Sequence, residues 1–237
     1  MINRIISILF LIFIGVTSLA LFVIAFTIWI TTVLFDKRLV VLHQFTSLWA
    51  SLYTLFTPVS ITGRKKADRF RTFVIVSNHQ SQFDILVLFR LFYHFKWVSK
   101  TEIFKVPLIG WNMVLNRYIG LKRGDKESIR KMLDDCEKTL AEGSSVFIFP
   151  EGTRSPDGIL KPFKPGAFLV AKKMGIPILP VAVSGTIKIL PKYSMNMRSG
   201  YKINVKVLDP IPVSEFSDLS VEDLAEKVRK LISNYVE

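Results

Sequence analysis

Short apolar runs alternate with longer segments of helical apolar spacing from about residue 70 onward. The helical spacing is clear in residues 126–142, where Ile129, Leu133, Cys136 and Leu140 recur with charged residues between them. The predicted strands are residues 73–77, 97–99, 118–121, 146–149, 178–183 and 203–207. The predicted helices are residues 81–95, 126–142, 166–174 and 218–235. Because strands that alternate with amphipathic helices are typical of α/β proteins, we expect an α/β fold with a mixed, largely parallel sheet flanked by helices.

The first part of the chain is almost continuously apolar. Residues 5–35 carry no charge, and this run exceeds the roughly 20 residues that a membrane-spanning helix needs. A secretory signal peptide has an apolar stretch of only about 7–15 residues before a small-residue cleavage site. Here the run continues well past the small residues at 18–20. We therefore expect a retained membrane anchor.

A second apolar segment, residues 39–61, follows a charged triplet. It contains Trp49 and Tyr53, whose side chains favour a membrane interface. We expect a helix that lies in or along the membrane, although an ordinary buried helix fits the same pattern. Two arrangements remain open for residues 1–61: a spanning helix with an interfacial one, or a two-helix wedge in a single leaflet. The expected division is membrane-anchoring helices in 1–61 and an α/β domain in 62–237.

The composition combines strong positive charge with high apolar content. The formal net charge is +13, and 50% of the residues are hydrophobic. A soluble nucleic-acid-binding protein is usually basic but less apolar, so we expect an anionic membrane surface or lipid as partner and no nucleic acid. A basic cluster at residues 63–71 follows the apolar segments. The positive-inside tendency predicts headgroup contact there and an α/β domain on the cytoplasmic side of the inner membrane.

The residues that commonly support metal or redox chemistry are scarce. Cys136 is the single cysteine, which excludes an intrachain disulfide, and its place on the apolar side of a predicted helix indicates a core residue. The chain has three histidines and no Cys-x-x-Cys or His-Glu-x-x-His motif. We therefore expect no metal site and no cofactor.

A histidine and a carboxylate lie where a predicted strand is followed by a predicted helix, in residues 78–84. Ligand sites in α/β folds often lie at such strand ends. On one helix, residues five apart would point about 140° apart. His79 and Asp84 can therefore meet only if His79 lies in the turn and Asp84 in the first turns of the helix. A plain helix start fits the seven residues equally well, with Asn78 or Ser81 as the cap.

Other strand ends carry groups that suit an anion. Residues 150–158 follow a buried strand and contain Arg154, whose guanidinium can bind a phosphate through two hydrogen bonds, and Thr153 and Gly152, which can add donors. Two cations, at 122 and 123, leave another strand end, and residues 161–166 precede a predicted helix N-terminus. Each signal is also typical of a surface turn, but together they indicate a basic pocket around one His–Asp pair.

Four stretches resemble the sequence blocks of the glycerolipid acyltransferases, in particular the bacterial 1-acylglycerol-3-phosphate acyltransferases. They are NHQSQFD at 78–84, IGLKR at 119–123, FPEGTRS at 149–155 and IPILPV at 176–181. Their order and spacing agree with that family over roughly residues 73–185. One departure is visible: the second block usually opens with a glycine about six residues before its arginine, and Arg117 stands there.

The resemblance implies transfer of a fatty acyl group from a thioester, acyl-CoA or acyl-carrier protein, to the sn-2 hydroxyl of lysophosphatidic acid, which makes phosphatidic acid. It implies His79 as general base, Asp84 as the carboxylate that orients it, and Arg123 and Arg154 as phosphate ligands. The other candidate substrate-binding residues are Glu151, Gly152, Thr153, Lys100 and Lys105. Alternatives are an acyltransferase for glycerol 3-phosphate or another lysophospholipid, a lipid hydrolase, and a non-catalytic anionic-lipid-binding membrane protein.

Overall fold

The computed structural model describes residues 2–194 and 196–236, so the expected domain ends at 1 and 237 lie outside the described residues. The strands are β1 (Val59–Thr62), β2 (Val74–Ser77), β3 (Phe95–Lys100), β4 (Ile119–Leu121), β5 (Ser145–Ile148), β6 (Ile178–Ser184) and β7 (Ile203–Val207). The α-helices are α1 (Ile2–Thr32), α2 (Val40–Leu52), α3 (Phe83–Phe89), α4 (Ile109–Leu115), α5 (Lys126–Ala141), α6 (Gly166–Met174), α7 (Thr186–Ile189) and α8 (Val221–Ser233).

The strands form one mixed, largely parallel sheet in the order β1-β7-β6-β2-β5-β3-β4. Strands β2 to β6 run parallel to one another, and β7 pairs with β6 in the antiparallel sense. The five parallel strands therefore all end at one edge, which we call the carboxyl edge, and begin at the opposite amino edge. The predicted fold class is confirmed.

Each face of the sheet is covered by helices because the central strands are apolar on both sides. On β2, Val74 and Val76 belong to the core under α5, α6 and α8, whereas Ile75 belongs to the core under α3 and α4. This alternation follows from the two-residue period of a strand. It leaves the turns at the carboxyl edge as the place where polar side chains can gather.

Several element predictions were wrong. The helix predicted over 81–95 ends at Phe89, because Phe95 already begins β3. Residues 39–61 form helix α2 and then strand β1, which lies parallel to β7 and spans the boundary expected at 61/62. Helices α4 and α7 were not predicted. These elements are short, and for short apolar runs the period does not separate helix from strand.

Helix α1 lies against the α/β domain along much of its length. The Tyr53 hydroxyl, just after α2, hydrogen-bonds the hydroxyl of Ser18 at 2.8 Å, and Phe22 contacts Trp111 of α4 edge to face. The span from Arg4 to Thr32 has a mean hydropathy of 2.9, and only 11% of its most apolar 18-residue stretch is buried against the rest of the protein. It is long and apolar enough to cross a membrane, and most of its side chains face away from the protein.

The basic cluster at residues 63–71 lies at the amino edge. Strand β1 runs parallel to β7, and β7 is antiparallel to β6, so β1 ends at the edge where β2 begins. The cluster connects the end of β1 to the start of β2. Arg64 donates a hydrogen bond to the carbonyl of Arg90, and Lys66 pairs with Asp209 at 2.7 Å. The cluster is therefore on the side of the sheet opposite the His–Asp turn.

Candidate active site

The predicted turn before the helix is present and brings the histidine and the carboxylate together. Residues 78–82 connect β2 to α3, which begins at Phe83, so His79 precedes the helix and Asp84 lies in its first turn. Nδ1 of His79 lies 2.8 Å from Oδ2 of Asp84. The predicted arrangement, with His79 in the turn and Asp84 in the first turn of the helix, is therefore present.

Asp84 is fully buried and its carboxylate is held by four donors. Oδ2 accepts the ring nitrogen of His79 and the backbone N–H groups of Gln80 and Ser81, at 2.7 and 2.8 Å. Oδ1 accepts the hydroxyl of Thr186 at the start of α7. Such donors stabilise a buried charge that would otherwise be costly. The carboxylate is therefore fixed in both position and plane.

Asn78 joins the end of β2 to the neighbouring strand β6. Its side-chain amide donates to the carbonyl of Val183 at 2.8 Å and accepts the N–H of Val183 at 2.8 Å. The side chain thus makes the two hydrogen bonds that another strand residue would make. This contact lets the backbone leave the sheet at Asn78 and fixes where His79 begins.

Glu151 holds the backbone on the other side of the histidine. Oε1 accepts the N–H of His79 at 2.7 Å, and Oε2 accepts the N–H of Lys161 at 3.1 Å. Burial raises the pKa of Glu151, and these two N–H groups act in the opposite direction. The carbonyl of His79 accepts the N–H of Ser155 at 2.8 Å. The loop after β5 therefore hydrogen-bonds both the N–H and the carbonyl of His79 and fixes its backbone.

Aromatic rings define the apolar wall of the site. The imidazole of His79 stacks on Phe149 with centroids 4.0 Å apart and an angle of 12° between the planes. Phe149 in turn stacks on Trp97 at 5.4 Å. With Nδ1 directed to Asp84, no described residue hydrogen-bonds Nε2 of His79. This nitrogen is available to a substrate beside an apolar surface.

The turn after Glu151 presents an arginine without an acidic partner. Gly152 has a φ of +70°, and a Cβ there would lie 3.0 Å from both Cε and Nζ of Lys164. Arg154 is half-buried, and Nζ of Lys192 donates to its carbonyl at 2.9 Å. Among the described residues, the guanidinium of Arg154 and the hydroxyl of Thr153 have no hydrogen-bond partner. The turn thus concentrates positive charge and free donors next to His79.

The other predicted cations share the carboxyl edge but contact neither His79 nor Arg154. Lys100 ends β3 and pairs with Glu102 at 3.1 Å, while Lys105 is exposed in the 3-10 turn that follows. Arg123 is exposed just after β4. Because β5 and β3 intervene, the end of β4 lies about 14 Å from the end of β2 at ordinary strand spacing. These three residues form an outer group around the His–Asp turn.

Thr186 and Lys192 contribute to the site but were not predicted as site residues, whereas Lys164 lies in residues 161–166, which were expected to face an anion. Thr186 follows the predicted strand at 178–183, so a hydroxyl just past a strand end was the available signal. Lys192 is separated from Arg154 by loops and strands whose paths the residue pattern does not specify. Within residues 2–194 and 196–236, no three His, Cys, Asp or Glu side chains are placed to hold a metal ion.

Several known proteins are similar to this chain. Residues 58–184 match the family model described as Acyltransferase. The chain is 38% identical over 229 residues to the 1-acyl-sn-glycerol-3-phosphate acyltransferase BAT2, chloroplastic, of Brassica napus, covering 95% of this chain and 66% of that protein. It is 32% identical over 163 residues to the 1-acyl-sn-glycerol-3-phosphate acyltransferase of Helicobacter pylori, covering 66% of this chain and 67% of that protein.

A solved structure extends the similarity to nearly the whole chain. The 1-acyl-sn-glycerophosphate (LPA) acyltransferase PlsC from Thermotoga maritima superposes with a TM-score of 0.80 at 26% identity, covering 98% of this chain and 94% of that one. By contrast, the chain spans 66%, 55% and 61% of the lengths of its Brassica napus, Arabidopsis thaliana and Chlamydomonas reinhardtii relatives.

Proposed function

We propose that this chain, which belongs to the acyltransferase family, transfers a fatty acyl group from a thioester to the sn-2 hydroxyl of 1-acyl-glycerol 3-phosphate. One observation carries the proposal: the buried His79–Asp84 pair lies beside the Arg154 turn, whose guanidinium has no acidic partner among the described residues. A base next to an anion site fits an acceptor that carries both a hydroxyl and a phosphate. The names of the relatives and of the Thermotoga maritima structure support the same acceptor.

The chemistry follows from the ring nitrogens of His79. Nδ1 is bound to Asp84, so Nε2 takes the proton of the acceptor hydroxyl. The oxygen attacks the thioester carbonyl, a C–O bond forms, and the C–S bond breaks. The thiolate leaves and takes the proton from the imidazolium as free thiol, while Asp84 stabilises the imidazolium in between. The acceptor supplies the nucleophile, so no acyl-enzyme is needed.

Ser81 is not part of this chemistry. Its hydroxyl donates to the carbonyl of Leu190 at 2.7 Å and accepts the N–H of Phe83 at 3.1 Å. Both contacts are those of a residue that fixes a helix start. A serine nucleophile would need a neighbouring base, and no described histidine, lysine or carboxylate hydrogen-bonds the hydroxyl of Ser81.

The phosphate assignment combines an inner and an outer group of residues. Arg154 is the primary ligand because this half-buried arginine lies in the turn that contacts the backbone of His79, and its guanidinium has no hydrogen-bond partner among the described residues. Thr153 and the Gly152 turn add donors, and Glu151 keeps the turn against His79 through its two backbone contacts. Arg123, Lys100 and Lys105 extend the positive field outward along the carboxyl edge. Acyl-CoA and acyl-carrier protein both remain candidate donors, since each presents an anionic carrier and a thioester.

For the location, we favour helices α1 and α2 in a single leaflet of the inner membrane, with the α/β domain on its cytoplasmic side. Ser7 contacts Met197 near one end of α1, and Arg38, just beyond the other end, bonds the carbonyl of Gly143 at 2.9 Å. A helix that crossed the bilayer would draw the polar domain beside it into hydrocarbon, which is costly. Protease protection of an N-terminal tag tests this arrangement.

The experiment that tests the function is an acceptor panel. Purified protein receives acyl-CoA or acyl-carrier protein together with lysophosphatidic acid, glycerol 3-phosphate or lysophosphatidylcholine, and both free thiol and lipid product are followed. We expect phosphatidic acid from lysophosphatidic acid, and loss of that product in His79→Ala with an unchanged melting temperature. Thiol release without a diacyl product would instead indicate a hydrolase, and neither signal would indicate a lipid-binding protein.

Arg154→Gln tests the phosphate site separately. We expect a higher KM for lysophosphatidic acid, with little change in the KM for the acyl donor. Arg130→Gln, an exposed arginine on α5, is the control. An unchanged KM for the lysolipid in Arg154→Gln would contradict the assignment.

A further inference from the structure

We propose that Thr186 is a positioning residue that holds His79 in its working orientation through Asp84. The expected effects on kinetics rest on the proposed function, whereas the structural part of the inference rests on one hydrogen bond, from Thr186 to Asp84. The hydroxyl of Thr186 donates to Oδ1 of Asp84, and both side chains are fully buried. Thr186 touches neither ring nitrogen of His79, so it acts through the carboxylate.

The backbone at the end of β6 places this hydroxyl. Gly185 has a φ of +90°, and a Cβ at this position would lie 2.3 Å from the carbonyl oxygen of Lys202. No residue with a side chain fits there without moving the backbone of the β6–β7 connection. Gly185 thus lets the chain turn sharply out of β6. The next residue, Thr186, then reaches the carboxylate of Asp84, which follows the neighbouring strand β2.

Oδ1 of Asp84 depends on this one donor. Oδ2 has three donors in the catalytic turn itself, namely the N–H groups of Gln80 and Ser81 and the ring nitrogen of His79. Within the described part of the chain, Oδ1 accepts a hydrogen bond from Thr186 alone. An ionised carboxylate has about four acceptor positions, so its second oxygen would be buried without a partner if the hydroxyl were removed.

Helix α7 is tied to the catalytic turn at its other end as well. The carbonyl of Leu190, directly after α7, accepts the hydroxyl of Ser81 at 2.7 Å. The two contacts make α7 a brace that fixes the plane of the Asp84 carboxylate from outside the turn. A carboxylate that can rotate would no longer present Oδ2 to Nδ1 of His79 at the same angle.

The test compares Thr186→Val, which keeps the shape and removes the hydroxyl, with Thr186→Ser, which keeps the hydroxyl. We expect Thr186→Val to lower kcat about tenfold to a hundredfold, the usual effect of losing an outer hydrogen-bond partner of a functional histidine, with KM for lysophosphatidic acid nearly unchanged. Thr186→Ser should keep kcat near the wild-type value.

Thr46→Val is the matched control. Thr46 is also buried, and its hydroxyl bonds the carbonyl of Leu42 and accepts from Asn116, but it lies on α2 away from the site. A merely structural role for Thr186 predicts that both valine variants lose activity in proportion to their loss of melting temperature. That outcome, or unchanged kcat in Thr186→Val, would overturn the proposal.

A readout without substrate separates this inference from the proposed function. Imidazole ¹⁵N NMR of the three histidines, with His79 assigned by His79→Ala, reports the Nδ1 hydrogen bond directly. We expect Thr186→Val to shift the His79 Nδ1 resonance and Thr186→Ser to leave it near the wild-type position. If the protein transfers no acyl group to any lysolipid but this shift is seen, the proposed function fails and the positioning role stands. An unshifted resonance would reject the role.

Discussion

Nδ1 of His79 lies 2.8 Å from Oδ2 of Asp84, five residues along the chain and on the other side of a helix start. The contact exists because the backbone of His79 is fixed by Glu151 and Ser155, while Asp84 is fixed by the turn and by Thr186. The pair is therefore held by three separate parts of the chain. This arrangement fixes the tautomer that leaves Nε2 as the acceptor for a substrate proton.

Asp84→Asn should remove most of the activity without removing the fold. An amide keeps the size of the side chain, and its oxygen can take the place of Oδ2, but it carries no negative charge to stabilise the imidazolium of His79. The equivalent change in a serine protease triad lowers kcat about 10⁴-fold, and we expect a loss on the order of 10³–10⁴ here. The measurement is thiol release from acyl-CoA with lysophosphatidic acid, and a normal circular dichroism spectrum serves as the folding control. Retention of more than a tenth of wild-type kcat would contradict the mechanism.

Gly152→Ala should disturb the anion turn through its backbone. The φ of +70° disfavours any residue with a Cβ, and the new methyl group would also press on the end of Lys164. We expect a higher KM for lysophosphatidic acid, about tenfold, and a loss of roughly 1–2 kcal/mol in the free energy of unfolding. Enzyme kinetics and urea denaturation in detergent give the two values.

Gly175→Ala is the control for this change. Gly175 ends α6 with a φ of +59°, and no atom lies within 4 Å of a Cβ built there. The backbone strain is therefore similar, but the anion turn is untouched. If both variants raise the KM for the lysolipid equally, the effect of Gly152→Ala comes from lost stability and not from the turn.

The residue pattern predicts the parts of this site that are local in sequence. The spacing of His79 and Asp84 required a turn followed by a helix, and residues 78–84 adopt that geometry. The predicted strand ends at 77 and 149 placed the loop of Arg154 beside the same turn, because parallel strands end at one edge. Each of these inferences needs only a period and a strand direction.

The missed parts depend on contacts between distant segments. Thr186 meets Asp84 across 102 residues, and no local period encodes that approach. Strand β1 has four residues at the end of a long apolar stretch, so its pairing with β7 decides its conformation. Arg123 fits the resembled second block, yet its strand lies at the end of the sheet, because strand order is a property of the whole fold.

Asn78→Asp should weaken the junction between β2 and β6. An aspartate cannot donate to the carbonyl of Val183, and it would bury a charge next to that oxygen. We expect the free energy of unfolding to fall by about 2 kcal/mol or more, and kcat to fall because the start of the catalytic turn shifts. Chemical denaturation measures the first effect. Asn204→Asp, an exposed position on β7, should leave both values unchanged, and a similar loss there would point to a general effect of charge.

Lys96→Met should make stability less dependent on pH. Burial, together with the nearby Arg117, lowers the pKa of Lys96 to about 7, while an unfolded lysine titrates near 10.4. Between these values unfolding takes up a proton, so Lys96 makes the free energy of unfolding rise with pH by on the order of 1 kcal/mol per pH unit. Its stabilising contribution is complete above pH 10.4 and is lost as pH falls to 7.

The measurement is urea denaturation of wild type and Lys96→Met from pH 6 to 10. Below pH 7 the variant should be the more stable protein, because it does not bury an ammonium group, and the difference should shrink as pH rises. Lys131→Met, at a lysine whose side chain is 75% exposed, is the control and should follow wild type. Parallel curves for Lys96→Met and wild type would show that Lys96 is not protonated differently on folding.

Arg117→Gly, just before β4, should leave catalysis unchanged, whereas Arg123→Gln, just after β4, should weaken the binding of lysophosphatidic acid. Arg117 has a φ of +54°, a conformation that favours glycine, which explains the glycine of the resembled family at this position. Its guanidinium bonds the carbonyl of Lys37 at 3.3 Å at the amino edge, far from His79. Relief of backbone strain and loss of this weak contact should nearly cancel, leaving the free energy of unfolding within about 1 kcal/mol of wild type.

Kinetics with lysophosphatidic acid should show an unchanged KM for Arg117→Gly and a raised KM for Arg123→Gln. The reverse order would mean that the phosphate contacts the amino edge, and it would refute the placement of the site.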